Sequence, residues 1–543
     1  NSTGNDLLDL TLYGPSAAAS SNEIFCEALS LSPTGVFVGG VTNVAIPLAG
    51  TPFDNALNSG DGFVAQFSRD LGTLNYSSYI GGTGNEDIGV TCIRAVNDNT
   101  YYLGHTATAA LPGSYISAGA ADNTFSGGSE MYIAKFTNLN TLSWGTYVGG
   151  SSTETFNDLE FFGDGRVAFA GLGAGTITEV NGAAASNTGT GNTDGIIGVL
   201  NNTGTAFNYL DKIGGSGNDR INDVEIVGNT LYWTGSASSG FPVSASGVYD
   251  ITHNGSTDVV VGKVSETGGA ASYAATFYGT SSADIGNGIR LVTQTDCAGN
   301  QTVFLLVFGT VGGAGLPVLN INGESFYQAT TMGGIDMFFA GFTNTLSTLL
   351  YGTYMGGSDN DYLGETGVPK GSNHLWVNNA NVYLGTTTHS GSHSPTLVSG
   401  GFDLSKSNSN NDSHIILTIA FSSIIAEQDY SDAPATYGAP SHFLDCQDIR
   451  IGALLDADAS AFPGAAANGD DNNNLDDEDG ITVLPAFATG GPQTISVTVN
   501  NILNTTGFTA NLYGWIDLNG NGQFTSNEFT STTVANGFSG SKT

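Results

Sequence analysis

The stretch Asp517-Leu518-Asn519-Gly520-Asn521-Gly522-Gln523-Phe524-Thr525-Ser526-Asn527-Glu528 puts side-chain oxygens at loop positions 1, 3 and 5, glycine at 6, Gln523 at 7 and a glutamate at 12. That spacing turns alternate groups inward around one hard cation. The glycine makes the sharp turn and the last carboxylate closes the far side. Asp517, Asn519, Asn521, Gln523 and Glu528 are therefore expected to bind Ca2+, with a metal-free turn as the alternative. The flank Tyr513-Gly514-Trp515-Ile516 reads as a strand, so the loop lies between β-elements.

A second acidic stretch, Gly469 to Gly480, contains Asp470, Asp471, Asp477 and Asp479. Its crowded carboxylates repel one another without a counter-ion. It reads either as a further calcium site, or extra ligands to the first, or as a solvated acidic loop.

Acidic residues also recur upstream, at Glu86, Glu154, Asp219, Asp284 and Asp361. They form either a ring of cation-binding carboxylates or acceptors for turn N–H groups at the start of each repeat. Catalysis by paired carboxylates needs two different environments, and nothing breaks the equivalence of these positions. No Gly-x-Ser-x-Gly, phosphate loop or His-Glu-x-x-His occurs, and His389 and His393 fall in a polar loop. No enzyme activity is expected. Cys26 and Cys92, one repeat apart, are candidates for one disulfide, and Cys297 with Cys446 for another.

These residues hang on a repeat. An aromatic or apolar residue precedes a glycine at Gly14, Gly81, Gly149, Gly214, Gly279 and Gly356, spaced 67, 68, 65, 65 and 77 residues apart. Each copy then has an apolar run ending in glycine, such as Leu231-Tyr232-Trp233-Thr234-Gly235. Next comes an acidic residue opening a short apolar strand, such as Asp61-Gly62-Phe63-Val64-Ala65. Such three- or four-stranded units bury their faces only against each other, which predicts a β-propeller of six blades. The apolar stretch from Leu7 to Leu12 is expected to complete the last blade and lock the ring, with a linear β-solenoid as the alternative architecture.

The 543 residues carry 12 Lys+Arg against 49 Asp+Glu, a formal net charge of -37. Nucleic acid and anionic membranes are thereby disfavoured as partners. No apolar run is long enough to span a membrane as a helix. Asn1-Ser2-Thr3 reads as a mature N-terminus.

Tyr354-Met355-Gly356-Gly357-Ser358-Asp359-Asn360-Asp361, Leu231 to Gly235 with Phe241-Pro242, and Glu130-Met131-Tyr132-Ile133-Ala134-Lys135-Phe136 together resemble the SBBP (β-propeller) repeat family over residues 7 to 422. The resemblance implies an extracytoplasmic bacterial propeller and supplies no catalytic residues. Asp429-Tyr430-Ser431-Asp432-Ala433-Pro434, the acidic run and Gly514-Trp515-Ile516-Asp517 onward resemble the GEVED domain of bacterial surface proteins. Such domains sit in large secreted proteins, often of Bacteroidota, that end in a type IX secretion sorting domain. No such ending is seen, so more protein is expected to follow.

The expected fold class is all-β: a six-bladed β-propeller closed by the N-terminal strand (1–422), a linker (423–428) and a β-sandwich-like calcium-binding domain (429–543). The expected function is a non-enzymatic structural or adhesive cell-surface protein, part of a filament or adhesin. Its expected partners are other surface or filament proteins, itself included, and glycans. Glycan binding by the propeller and polysaccharide hydrolysis are the alternatives.

Overall fold

The computed structural model describes residues 11–14 and 24–362, with breaks at 59, 85–88, 183–192, 270–271, 296–300 and 320–327. Beyond these it describes 375–378, 381–388, 413–420, 428–430, 434–437, 441–443, 449–452, 480–481, 494–501 and 509–543 except 526. The chain forms two compact units: residues 1–292 with 303–420, and residues 293–302 with 421–543. Among the described residues no helix is long and apolar enough to cross a membrane.

The first unit is a series of antiparallel four-stranded sheets, each laid down in chain order. Sheet one holds β1 (Ile24–Leu31), β2 (Gly35–Thr42), β3 (Asp61–Ser68) and β4 (Leu74–Ile80). Sheet two holds β5 (Gly89–Asn97), β6 (Thr100–Ala107), β7 (Glu130–Thr137) and β8 (Thr141–Val148). Sheet three holds β9 (Glu154–Phe161), β10 (Val167–Gly173), β11 (Asp194–Leu200) and β12 (Phe207–Ile213). Sheet four holds β13 (Arg220–Val227), β14 (Thr230–Ala237), β15 (Asp258–Ser265) and β16 (Ala274–Tyr278). Sheet five holds β17 (Asp284–Thr295), β18 (Gln301–Val311), β19 (Asp336–Thr343) and β20 (Leu349–Met355). In a sixth sheet, β21 (Asp361–Tyr362) and β22 (Leu375–Asn378) share one edge of β23 (Asn381–Thr388), and β24 (Ser413–Ala420) takes the other.

Successive sheets stack face to face, with their first strands side by side: β1 by β5, β5 by β9, β9 by β13. This is the architecture of a β-propeller, and the side chains show why. Along β7, Met131 and Ile133 enter the core shared with sheet three, while Tyr132, Ala134 and Phe136 enter the core shared with sheet one. Strand β7 is buried on both faces, so it reads as a continuous apolar run and not as an alternation.

The repeat glycines have steric reasons. Gly235 in β14 pairs where β13 bulges between Ile221 and Asp223. A Cβ there would lie 1.9 Å from the Arg220 carbonyl oxygen. The motif tyrosines hold the proline loop of their own sheet: the hydroxyls of Tyr79, Tyr147 and Tyr354 accept the N–H groups of Ile46, Leu111 and Leu316, each just before a proline.

The Leu7-to-Leu12 segment lies almost wholly outside the described residues, but Tyr13 beyond it is placed. Its hydroxyl donates to the Pro47 carbonyl (3.2 Å), and its ring packs on Phe63 (5.7 Å) and edge-on to Phe67 (5.5 Å).

The second unit, taken by itself, contains β25 (Gln428–Tyr430) paired with β26 (Ser441–Phe443). A three-stranded sheet joins β27 (Ile449–Ile451), β28 (Val497–Asn501) and β31 (Phe538–Lys542), and a hairpin joins β29 (Ala510–Trp515) to β30 (Phe529–Val534).

Candidate functional site

Strands β29 and β30 hold the ends of the twelve-residue loop. Asp517 follows β29, and Glu528 immediately precedes β30. The Asp517 carboxylate accepts the N–H groups of Gly520, Asn521 and Gly522 and the Tyr437 hydroxyl. Gly520 and Gly522 adopt positive φ, +66° and +76°, which side-chain-bearing residues seldom do. Asn519 Oδ1 accepts from the Asn521 N–H, and Asn521 Oδ1 from the Gln523 N–H. Glu528 is buried and reaches back across the loop. One oxygen accepts the Leu518 N–H and the Asn519 amide, the other the Thr525 N–H and hydroxyl.

Asp517 is held below the usual carboxylate range, chiefly by the Gly522 N–H, and Glu528 chiefly by the Thr525 hydroxyl. The structure thus gathers Asp517, Asn519, Asn521 and Glu528 into one loop with ionised, oxygen-only donors. The hardness of these donors fits Ca2+. Among the described residues no cluster of three or more His, Cys, Asp or Glu side chains is placed for a metal. Asp470, Asp471, Asp477 and Asp479 lie outside the described residues, as do Cys297, Cys446 and Glu86.

The other four recurrent acids have a uniform placement. Glu154, Asp219, Asp284 and Asp361 each accept the N–H of the motif residue four before: Gly150, Gly215, Thr280 and Gly357. Each also donates its own N–H to the preceding sheet, at Ser129, Thr193, Thr257 and Ile335. These acids therefore stitch one blade to the next. The strand-three acids lie beside them, over the first glycine of the motif. A Cβ on Gly214 would sit 2.1 Å from Asp194 Oδ1, and one on Gly81 2.1 Å from Asp61 Oδ1. Two separate motifs thus form one junction.

The expected bridge between Cys26 and Cys92 is not formed; both are free thiols. They sit at matching places on adjacent inner strands. Cys92 is buried toward sheet three, its Sγ 3.3 Å from Asp158 Oδ1 and 3.1 Å from Arg94 Nη1. Burial pushes its pKa up.

Sequence reading missed an ion layer on the inner strands. Arg94 on β5 pairs with Asp158 (2.8 Å) and with Glu160 on β9. Arg290 on β17 pairs with Asp223 (2.9 Å) and Glu225 (3.1 Å) on β13. Asp158 and Asp223 face each other between the two arginines and act on each other's charge. Burial drives Asp223 up, while Arg94 helps hold Asp158 below the usual range against its own burial. Burial also raises Glu225 to about 7. Arg94, Glu160, Glu225 and Arg290 lie 66, 65 and 65 residues apart. That one-repeat spacing was the available signal.

No protein-family model matches the chain, and no curated protein does. Similar solved structures include BamB from Moraxella catarrhalis, at 10% identity over 66% of this chain and 82% of that one, TM-score 0.29. An α-L-arabinanase of Penicillium chrysogenum complexed with arabinobiose matches at 10% identity over 76% and 98%, TM-score 0.33. A Dyadobacter fermentans protein of unknown function matches at 9% over 73% and 95%, TM-score 0.32. At these scores the likenesses decide no chemistry, and the fold assignment stands on the sheets themselves.

Proposed function

We propose that this chain is a non-enzymatic structural or adhesive part of a secreted surface protein, with six blades closed into a disc and Ca2+ stiffening the second unit. The observation that carries the closed ring is Tyr13. Tyr278 ends sheet four, donates to the Pro317 carbonyl of sheet five (2.8 Å), and packs on Phe338 and edge-on to Phe342 (both 5.5 Å). Tyr13 makes the same set of contacts with sheet one, through Pro47, Phe63 and Phe67. Phe63 and Phe67 stand two and six residues past Asp61, as Phe338 and Phe342 do past Asp336. Tyr13 therefore stands toward sheet one as Tyr278 stands toward sheet five, and in the closed ring the segment before it would supply an outer strand. That is the strand a sixth blade needs beyond β24.

A structural role is supported by the recurrent acids: Glu154, Asp219, Asp284 and Asp361 are engaged by turn amides at blade junctions. Glycan binding is the second reading, favoured by the exposed rings of Tyr513, Trp515 and Phe529, which lie within 6 Å of one another on the β29–β30 hairpin. The proposal is tested by antibody labelling of intact cells together with a polysaccharide panel. Surface labelling with no sugar released is the expected result. Binding without cleavage would select the glycan reading, and release of reducing sugar would overturn the non-enzymatic one.

In the second unit, Asp517, Asn519, Asn521, Gln523 and Glu528 would hold the ion. Calcium chelation should lower the melting midpoint of this unit, and Glu528→Gln should weaken calcium affinity at least ~10-fold, because a charged ligand is lost. An unchanged calorimetric isotherm in that variant would remove the calcium assignment.

A further inference from the structure

The blade junctions are alike in backbone and unlike in how they handle charge. From sheet two onward, each brings a strand-three acid of one sheet beside the first acid of the next. Between sheets three and four, Lys212 supplies a cation: its Nζ lies 3.1 Å from Asp194 Oδ2 and 2.9 Å from the Gly175 carbonyl, with the side chain 7% exposed. Lys212 stands two residues before Gly214, where Tyr79, Tyr147 and Tyr354 stand before theirs. Between sheets four and five, donors complete both carboxylates. Asp258 accepts from the Asn254 and Gly255 N–H groups, and Asp284 from those of Thr280 and Gly312.

Sheets two and three meet through a pair of glutamates that has no salt bridge among the described residues and only part of its donors. Glu130 and Glu154 are both fully buried. They are held side by side because Glu154 N–H donates to the Ser129 carbonyl and Ser129 Oγ donates to the Glu154 carbonyl (both 2.9 Å). Glu130 Oε1 accepts the Ser126 and Gly127 N–H groups, and Glu154 Oε2 accepts the Gly150 N–H. The other two oxygens, Glu130 Oε2 and Glu154 Oε1, are buried without a hydrogen-bond partner among the described residues. The Gly175 N–H faces Glu154 but outside hydrogen-bond geometry, and Lys212 acts on Glu154 only through space. The two carboxyl groups straddle Gly149, where a Cβ would lie 2.8 Å from both Glu130 Cγ and Glu154 Oε2.

Two buried carboxylates with unfilled oxygens need a positive partner, since removing such charges from water is costly. We propose that this junction is a divalent-cation site, suited to Ca2+ by its hard oxygens, in which Glu130 and Glu154 clamp an ion that ties the second blade to the third. Glu130 is pushed up to about 7 by burial, with Asp122 and Glu154 adding to the rise. A bound cation would reverse that.

The test uses the full chain carrying Glu528→Gln, which weakens the loop in the second unit, and reads the propeller transition alone. In that background CaCl2 at a hundredfold excess over Kd should raise the propeller melting midpoint by roughly 3–6 °C. Adding Glu130→Gln with Glu154→Gln should abolish the rise. It should leave the calcium-free protein at least as stable as its parent, because the repulsion is gone. A merely structural pair would instead lose stability in both conditions. If calcium does not move the midpoint while acidification from pH 8 to 5 raises it, the pair holds a proton and the proposal fails. It fails equally if the double glutamine variant keeps the calcium response.

Discussion

Arg290→Met is expected to destabilise the propeller by about 3–5 kcal/mol, read as a fall in the denaturant midpoint at pH 8. Arg290 is the cation shared by Asp223, which is fully buried, and Glu225. Asp223 also accepts the Ile289 N–H from the next blade (2.7 Å), so it cannot turn away without losing a contact between sheets. Removing the guanidinium leaves two neighbouring carboxyl groups that must ionise in the interior or stay protonated. The sign of the pH effect follows. Glu225 titrates at about 7 in the folded chain, above the ordinary glutamate value. Across roughly pH 4.5 to 7 the native state keeps a proton that the unfolded state has released, so stability falls as pH rises through that window. Without Arg290 both carboxyls move further up, so the penalty should be smaller at pH 5 than at pH 8. Adding Asp223→Asn should recover part of the loss, because the pair is coupled. A loss under about 1 kcal/mol, flat with pH, would mean that these charges are bathed by water.

What could be read beforehand follows how local each device is. The twelve-residue loop was legible because all its oxygen groups fall between Asp517 and Glu528, and spacing alone arranges them. The propeller was legible because the strand pattern recurs with one period, although β7 and its counterparts read as unbroken apolar runs. The junctions were half legible. Gly149 and Glu130 each belong to a visible motif, but only packing shows that the glycine is there to admit the carboxyl group. Cys26 and Cys92 illustrate the opposite error. Equal spacing puts equal positions on adjacent inner strands, but Cys92 faces onward to the next blade. It therefore meets Asp158. The ion layer was hidden for a related reason. Arg94, Glu160, Glu225 and Arg290 occupy one repeat position, and their types change from blade to blade so that each glutamate has an arginine on one side.

Tyr13→Ala should cost the propeller about 3 kcal/mol, although the residue lies near the start of the chain, where truncation is ordinarily tolerated. The loss combines edge-on packing against Phe67, contact with Phe63 and the hydrogen bond to Pro47. Tyr278→Ala is the matched control, since Tyr278 makes the equivalent contacts between sheets four and five and is fully buried. If the ring is closed by the N-terminal segment, both variants lower a single cooperative unfolding transition, with Tyr278→Ala the larger effect. If the stack is open, Tyr13→Ala changes the midpoint by less than about 0.5 kcal/mol while Tyr278→Ala still lowers it. The comparison separates the two architectures because a closed ring makes the first and last blades depend on each other. In an open stack each sheet answers only to its neighbours in sequence.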